Sequence, residues 1–231
     1  MTIAEIISSV RLCIDEEKRN DADFISASAG DVPSMDNIIR AKIGDALRWI
    51  CLYGNTELMS GKDEQVTTGF LKDVSGTFSS TSPQTGFVLK SGYGLVTLPE
   101  DFVRLSRVRV NGWHRSVRVP FREESDEYLA LWDSHGATAT TDRPQAAVID
   151  KSVKELELWP VSDGDEVEYS YVADVSDVQD YTDPTVTSVS LPPKMKTAFI
   201  YYIAFLLLSA YGDARSIRML EIAKMNVGRE G

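Results

Sequence analysis

The sequence predicts an α+β protein, a helical bundle built from an N-terminal and a C-terminal helix pair with an antiparallel β domain inserted between them. Three observations carry this prediction. Apolar residues recur at helical spacing near both ends of the chain. They alternate with polar ones through the middle. Asn111-Gly112 and Asp163-Gly164 punctuate the alternating runs, as tight turns between strands do.

The C-terminal helix pair is the most constrained part. Pro192 and Pro193 can only open a helix, because each fixes φ and lacks an N–H. Gly212 can close it in a left-handed conformation. Between them, Thr197 to Tyr211 carries no charge, and Ala198 to Leu208 is apolar apart from two tyrosine hydroxyls. A helix apolar on every side is expected to be buried on every side. The run falls short of the roughly 20 apolar residues that a bilayer span needs, so no membrane helix is expected. Asp213 is placed to cap a last helix, with Ile217, Leu220, Ala223 (or Lys224) and Val227 along one face.

At the other end, Thr2 and Glu5 have the spacing of a capping box, and Ile3, Ile6, Ile7, Val10 and Ile14 follow at helical spacing. That helix is expected to end in the charged run 15–19, before a small, polar loop over 20–33. Ser34 can cap a second helix carrying Ile39, Ile43, Ala46, Leu47 and Ile50, with Gly54 as its stop. Arg40, Lys42, Asp45 and Arg48 lie off that apolar stripe, on a solvated or inter-subunit face.

Residues 55–86 are rich in Gly, Ser and Thr and read as short strands or loop. Strands are predicted over 87–90, 95–98, 103–110, 113–119, 146–150, 154–159 and 166–173. A short amphipathic helix with an acidic first turn is predicted within 121–134, and an acidic connector over 174–191. A type I′ turn at Asn111-Gly112 would set Val110 opposite Trp113, Val108 opposite Arg115 and Ser106 opposite Val117. One face of that hairpin is then mainly apolar. The other carries Leu105, Arg107, Arg109, His114, Ser116 and Arg118, either a solvated sheet surface or a docking surface for an acidic neighbour. The expected division is 1–54 with 192–231 as the bundle, and 55–191 as the β-rich domain.

The chain of 231 residues holds 35 acidic and 24 basic side chains, a net charge of −11. That balance argues against a protein that wraps nucleic acid on a basic surface. It suits a soluble protein, and equally a conduit that must not hold DNA. The two cysteines, Cys13 and Cys51, sit inside apolar helical patterns, as small core residues rather than a disulfide or metal pair. The start Met-Thr-Ile-Ala-Glu has neither the basic nor the apolar region of a secretory leader, so none is expected.

Catalytic signatures are missing from the sequence. It has no Gly-x-Ser-x-Gly elbow, no phosphate-binding Gly-x-x-x-x-Gly-Lys loop and no His-Glu-x-x-His. Gly92-Tyr93-Gly94 lacks the third glycine of a dinucleotide fingerprint and reads as a turn. His114 and His135 have no ligand spacing to a cysteine or to each other. The pairs Glu123-Glu124 and Glu155/Glu157 read as surface carboxylates. No enzyme activity, cofactor or metal is expected.

Two stretches carry a resemblance. Leu98-Pro99-Glu100-Asp101-Phe102-Val103-Arg104-Leu105 leads into a strand through Val110-Asn111-Gly112-Trp113, and Leu191-Pro192-Pro193 leads into the apolar helix with Tyr201, Tyr202 and Ala204. In this order the chain resembles the head–tail adaptor (connector) proteins of short-tailed, double-stranded DNA bacteriophages. The resemblance implies a structural virion protein in the neck, assembled in the host cytoplasm. It implies a homo-oligomeric ring, typically of about twelve copies, between the portal protein and the tail nozzle. Double-stranded DNA would pass through without sequence-specific binding, and the segment from Ile217 to Gly231 would reach the portal. Arg40, Arg48, Arg215, Arg218, Met219, Ile222, Met225 and Arg229 are then the candidate oligomer and portal interface. Arg107, Arg109, His114 and Arg118 are the candidate docking face of the β domain. The competing readings are a glycan- or receptor-binding β-sandwich using Trp113, Trp132 and Trp159 as stacking platforms, a neck or tail-completion protein at another level of the virion, and a hydrolase with an unfamiliar site.

Overall fold

Thr2 opens the first helix as its spacing predicts. Its hydroxyl accepts the Glu5 N–H at 3.2 Å and the Glu5 carboxylate accepts the Thr2 N–H at 2.9 Å. Helix α1 (Ile3–Cys13) follows, with Ile3, Ile6 and Val10 buried. The computed structural model describes residues 1–14, 34–59, 69–150 and 152–228, so the expected end of this helix at 15–19 and the loop at 20–33 lie outside the described residues. The chain divides into two compact units. One joins Met1–Phe70 to Asp174–Gly231, and the other is Leu71–Ala173.

In the first unit Ser34 caps a helix, but the stripe from Ile39 to Ile50 spans two. α2 (Met35–Ala41) and α3 (Ile43–Tyr53) are separated at Lys42, whose N–H bonds the Ile39 carbonyl at 3.0 Å in a tightened turn. Gly54 stops α3 by crowding rather than by a left-handed φ. A Cβ there would lie 2.4 Å from the Met59 Cε and 2.7 Å from the Ile50 carbonyl oxygen. α4 (Thr56–Met59) follows. The segment 174–191, expected as an acidic connector within the β-rich domain, is held among the helices. Ile3 N–H donates to the Thr187 carbonyl at 2.9 Å, and Val189 N–H to that of Met1 at 2.9 Å.

Pro193 begins a single 3-10 turn (Pro193–Met195) that runs into α6 (Lys196–Ala210), numbered after α5 of the second unit. Gly212 closes α6 at φ +70°, with Asp213 N–H on the Leu208 carbonyl and Gly212 N–H on that of Ser209, both bonds of a Schellman cap. Asp213 Oδ1 then accepts the Arg215 N–H at 2.8 Å and starts α7 (Arg215–Asn226). The expectation that α6 is buried all round does not hold within one chain. Ala198, Phe199, Ile203, Ala204, Leu207 and Leu208 are buried, whereas Ile200, Tyr201, Tyr202, Phe205 and Leu206 are only half-buried. α1, α2, α3 and α7 all pack on α6, yet they leave that side partly open.

The second unit is a two-sheet sandwich. One sheet has the order β1-β8-β4, and the other β2-β3-β7-β6-β5. The strands are β1 (Leu71–Thr77), β2 (Phe87–Leu89), β3 (Gly94–Thr97), β4 (Phe102–Val110), β5 (Phe121–Arg122), β6 (Gln145–Asp150), β7 (Lys154–Trp159) and β8 (Glu166–Ala173). β1 lies in the stretch read as short strands or loop. All pairs are antiparallel except β5–β6. Side chains from both sheets share one core, including Phe78, Val96, Leu105, Val108, Trp113, Leu156, Leu158, Val167 and Tyr169. Helix α5 (Asp126–Asp133), capped by the Ser125 hydroxyl, covers the opposite face of the five-stranded sheet. There Tyr128 packs on Ala147 and Ile149, and Leu131 on Trp159.

The expected hairpin at Asn111-Gly112 is corrected. Only Gly112 has a positive φ, +91°, and the Trp113 N–H bonds the Val110 carbonyl, as in a type II turn. That turn splays its strands where type I′ would keep them paired. Residues 113–119 therefore form no strand and meet β4 in one bridge, Val108 to Val117, so Val108 does not face Arg115. β4 pairs along its length with β8 instead. A register shift between Leu105 and Arg107 also turns Leu105 into the core, off the basic face where simple alternation places it.

Candidate functional site

Among the described residues no group of His, Cys, Asp and Glu could hold a metal ion, and the candidate sites are surfaces. Ser216 N–H bonds the Asp213 carbonyl as α7 begins, and α7 then runs back along α6. Met219, partly buried, packs against Ile14, Ala204 and Leu208 within the chain. Ile222 is half-buried, and Arg218 is exposed. Ile217 is 66 % and Met225 73 % exposed, unusual for side chains of that size. α7 therefore shows an outer side on which apolar and basic side chains mix. Arg229 lies outside the described residues.

Two of the arginines expected at an interface hold the fold together. One Arg40 nitrogen, Nη1, donates to the carbonyls of Tyr181 and Asp183 at 3.2 Å and of Val186 at 3.3 Å. It pins the segment 174–191 to α2, and a polar cleft lies beside it, lined by Gly44, Asp177, Asp180 and Thr182. Nothing near Arg40 in sequence signals this, because the acceptors are carbonyls 141 to 146 residues away. Arg215 grips Asp213 through Nη2 at 2.7 Å and reaches the Ile14 carbonyl with Nη1, tying α7 to the end of α1. The Arg215 side chain holds the Asp213 carboxyl below its usual pKa. Arg48 stands exposed on α3.

Helices α3 and α6 meet through aromatic rings. Trp49 stacks on Tyr202 at 4.2 Å, nearly parallel, and Tyr202 leans on Phe205 at 5.4 Å. Tyr53 and Leu52 at the end of α3 remain exposed. Burial pushes the Tyr202 hydroxyl above its usual pKa, helped by the Asp45 carboxylate.

On the β unit, Arg107 and Arg109 project from the outer face of the three-stranded sheet, with Arg109 directly opposite Glu168. Glu166 and Glu168 make the face mixed in charge rather than basic throughout. His114 is exposed and its Nδ1 pairs with Asp142. Arg118 is exposed beyond the free edge of β4. Arg107 and Arg109 thus stand on the outer face beside glutamates, while His114 and Arg118 lie on the segment that follows β4.

Two carboxylates have roles in the structure that their sequence positions did not suggest. Asp101 of the Leu-Pro-Glu-Asp-Phe stretch accepts the Tyr171 hydroxyl at 3.0 Å and pairs with Lys72. Leu98 and Phe102 on either side are buried in the sandwich core, so the stretch anchors the entry to β4 from three points. Burial, then the bond to Asp101, pushes the Tyr171 hydroxyl well above its usual pKa. Glu157, read as a surface carboxylate, is buried beneath α5. Its Oε2 accepts from Tyr128 at 3.1 Å and from the Trp132 indole at 3.2 Å. The flanking apolar and aromatic residues are the signal that could have found it.

Trp113 and Trp159 are both 2 % exposed, and the Trp113 indole donates to the Pro160 carbonyl at 2.8 Å. Neither offers a stacking platform for a glycan; only Trp132 reaches the surface. Among the described residues no helix is long and apolar enough to cross a membrane.

No curated protein matches the sequence. Residues 1–226, nearly the whole chain, match the family model described as SU10 adaptor protein. The chain belongs to that family of phage adaptor proteins, and is by that membership a structural component of the virion.

Proposed function

We propose that this protein is the head-to-tail adaptor of a short-tailed phage, a ring that joins the portal to the tail and forms part of the DNA channel. The observation that carries the reading is the match to an adaptor family over residues 1–226. The helical unit acts as the bundle that packs side by side around the ring, and the β unit as a domain inserted between its halves. The half-open side of α6, with Tyr201, Tyr202, Phe205 and Leu206, supports this, since apolar surface of that kind is normally covered in the working assembly. Arg48 lies on the inter-subunit side of the bundle. The outer side of α7, with Ile217, Arg218, Ile222 and Met225, meets the portal, and Arg229 extends that contact. The net charge of −11 keeps a channel wall from holding DNA.

Negative-stain electron microscopy of the purified chain, alone and with the portal ring of the same phage, tests the reading. Rings, or an added layer on the portal, are expected. A chain that stays monomeric and leaves the portal bare contradicts it. Deleting the residues after Asp213 should abolish portal binding and leave the β unit folded by circular dichroism. Normal binding by the truncated chain removes the role given to α7.

A further inference from the structure

Helix α7 has little to hold it along its length. Of its 12 residues only Ala223 is buried, and a helix that short is marginal on its own. Its start is tied to the end of α1 through Arg215. Its far end is tied to the elbow between α3 and α4. There the Val227 carbonyl accepts the Asn55 N–H at 3.0 Å, and Val227 itself is buried. Gly228 follows at φ +70°, so close to the elbow that a Cβ on it would stand 2.8 Å from Leu58 Cδ1 and 3.0 Å from Asn55 Cβ.

The elbow is itself firmly built. Asn55 Oδ1 accepts the Glu57 N–H at 2.8 Å and sets the first turn of α4. The Asn55 carbonyl accepts the Leu58 and Met59 N–H groups at 3.1 and 3.2 Å. Met59, fully buried, lies against Gly54, and α4 packs on the turn that opens α6. One residue, Asn55, therefore caps α4 with its side chain and holds α7 with its backbone.

We propose that the elbow from Asn55 to Met59 is a clasp that positions α7 for the portal. Asn55 and Leu58 hold the end of α7, so that Ile222 and Met225 in its last turns keep one direction in the free chain. The clasp residues act through α7. This rests on the portal reading of α7 given above and adds the residues that set its geometry. A helix already in place needs no ordering when it binds, so portal affinity follows the fraction of chains in which the clasp is closed.

Residue-resolved hydrogen exchange and portal affinity, both measured on the full chain, test this. In the unaltered chain the Asn55 amide should exchange slowly before any portal is added. Gly228→Val sets a β-branched side chain at a left-handed φ and should open the clasp. Exchange at Asn55 and in the last turn of α7 should then speed up. Portal binding should weaken about tenfold, as when the docked helix is populated about a tenth of the time. Gly228→Asn, a residue that takes this φ more readily, should recover part of both. Self-assembly and the exchange of the α6 amides should stay as they are in the unaltered chain. An Asn55 amide that exchanges freely in the unaltered chain overturns the clasp. Faster exchange at Asn55 with unchanged portal affinity overturns its positioning role and leaves the portal reading standing. Normal portal binding by the chain cut after Asp213 overturns the portal reading of α7, and this proposal with it.

Discussion

The two units differ in how completely they bury what they bring. In the β unit, both sheets turn their apolar sides to one shared core, and Trp113, Val108, Leu158 and Val167 are almost fully enclosed. The apolar side chains of its five-stranded sheet's other face are roofed by α5. In the helical unit, the most apolar helix of the chain keeps one side half-open, and α7 buries only Ala223 among its own residues. Intrinsic apolarity does not explain the difference, since α6 is the greasier element. What differs is the number of partners within the chain. A sandwich closes on itself, whereas a helix apolar on every side needs more neighbours than α1, α2, α3 and α7 supply. In the proposed ring, the helical unit is the part that a neighbouring copy would complete.

The largest expected effect comes from charging the enclosed side of α6. Leu207→Asp should unfold the helical unit, because an unpaired buried charge costs several kcal/mol, about the whole stability of a domain. The β unit should keep its own melting transition by circular dichroism. A native-like Leu207→Asp chain contradicts this placement of the core. Next, Trp113→Ala should cost the β unit about 3–5 kcal/mol, since it empties a closed core and strands the Pro160 carbonyl. Assembly through the helical unit should survive that change if the two units are as independent as the comparison holds.

A smaller effect involves the tyrosines. Burial and a nearby carboxylate raise the hydroxyl pKa of Tyr171 and Tyr128, so the folded β unit holds those protons more tightly than the unfolded chain does. Their contribution is complete below about pH 10, the unfolded value, and is lost as pH climbs beyond it. Tyr171→Phe should cost about 1 kcal/mol at neutral pH for the bond to Asp101, and should flatten the alkaline decline of the β transition in a pH series. The smallest change in stability is expected at the open surface. Met225→Ser should shift the melting transition by less than about 0.5 kcal/mol, yet weaken binding to the portal in a pull-down. Unchanged portal binding would remove Met225 from the interface.

The same contrast governs what could be read from the sequence. Strand β8 is legible residue for residue, because alternation along its first half records one enclosed face; β7 matches its expected bounds too, although α5 encloses its second face as well. The capping box at Thr2 and the Gly212 stop are local chemistry and equally legible. β1 is not, because its Lys-Asp-Val-Ser-Gly run has little apolar content and its pairing with β8 is set by the rest of the sandwich. Gly76 shows why: a Cβ there would run 2.4 Å from the Phe87 ring, a contact that only the folded sheets create. The hairpin after β4 fails at a single dihedral, since Asn111 does not take the positive φ of a type I′ turn. Of the candidate interface residues, Arg218, Met225 and Arg48 are exposed, while Arg40, Arg215 and Met219 make contacts within the chain. Their partners are carbonyls, a capping aspartate and a core pocket that exist only after folding.

Hydroxyl-radical footprinting of the free chain and of the assembled ring tests the central claim most directly. The probes are Tyr201, Tyr202 and Phe205 on α6, with the enclosed Trp113 as an internal reference. The account predicts that the three α6 side chains react in the free chain and are protected in the assembly, while Trp113 is protected in both. Equal reactivity of Tyr201, Tyr202 and Phe205 before and after assembly would show that no neighbouring copy covers the open side of α6.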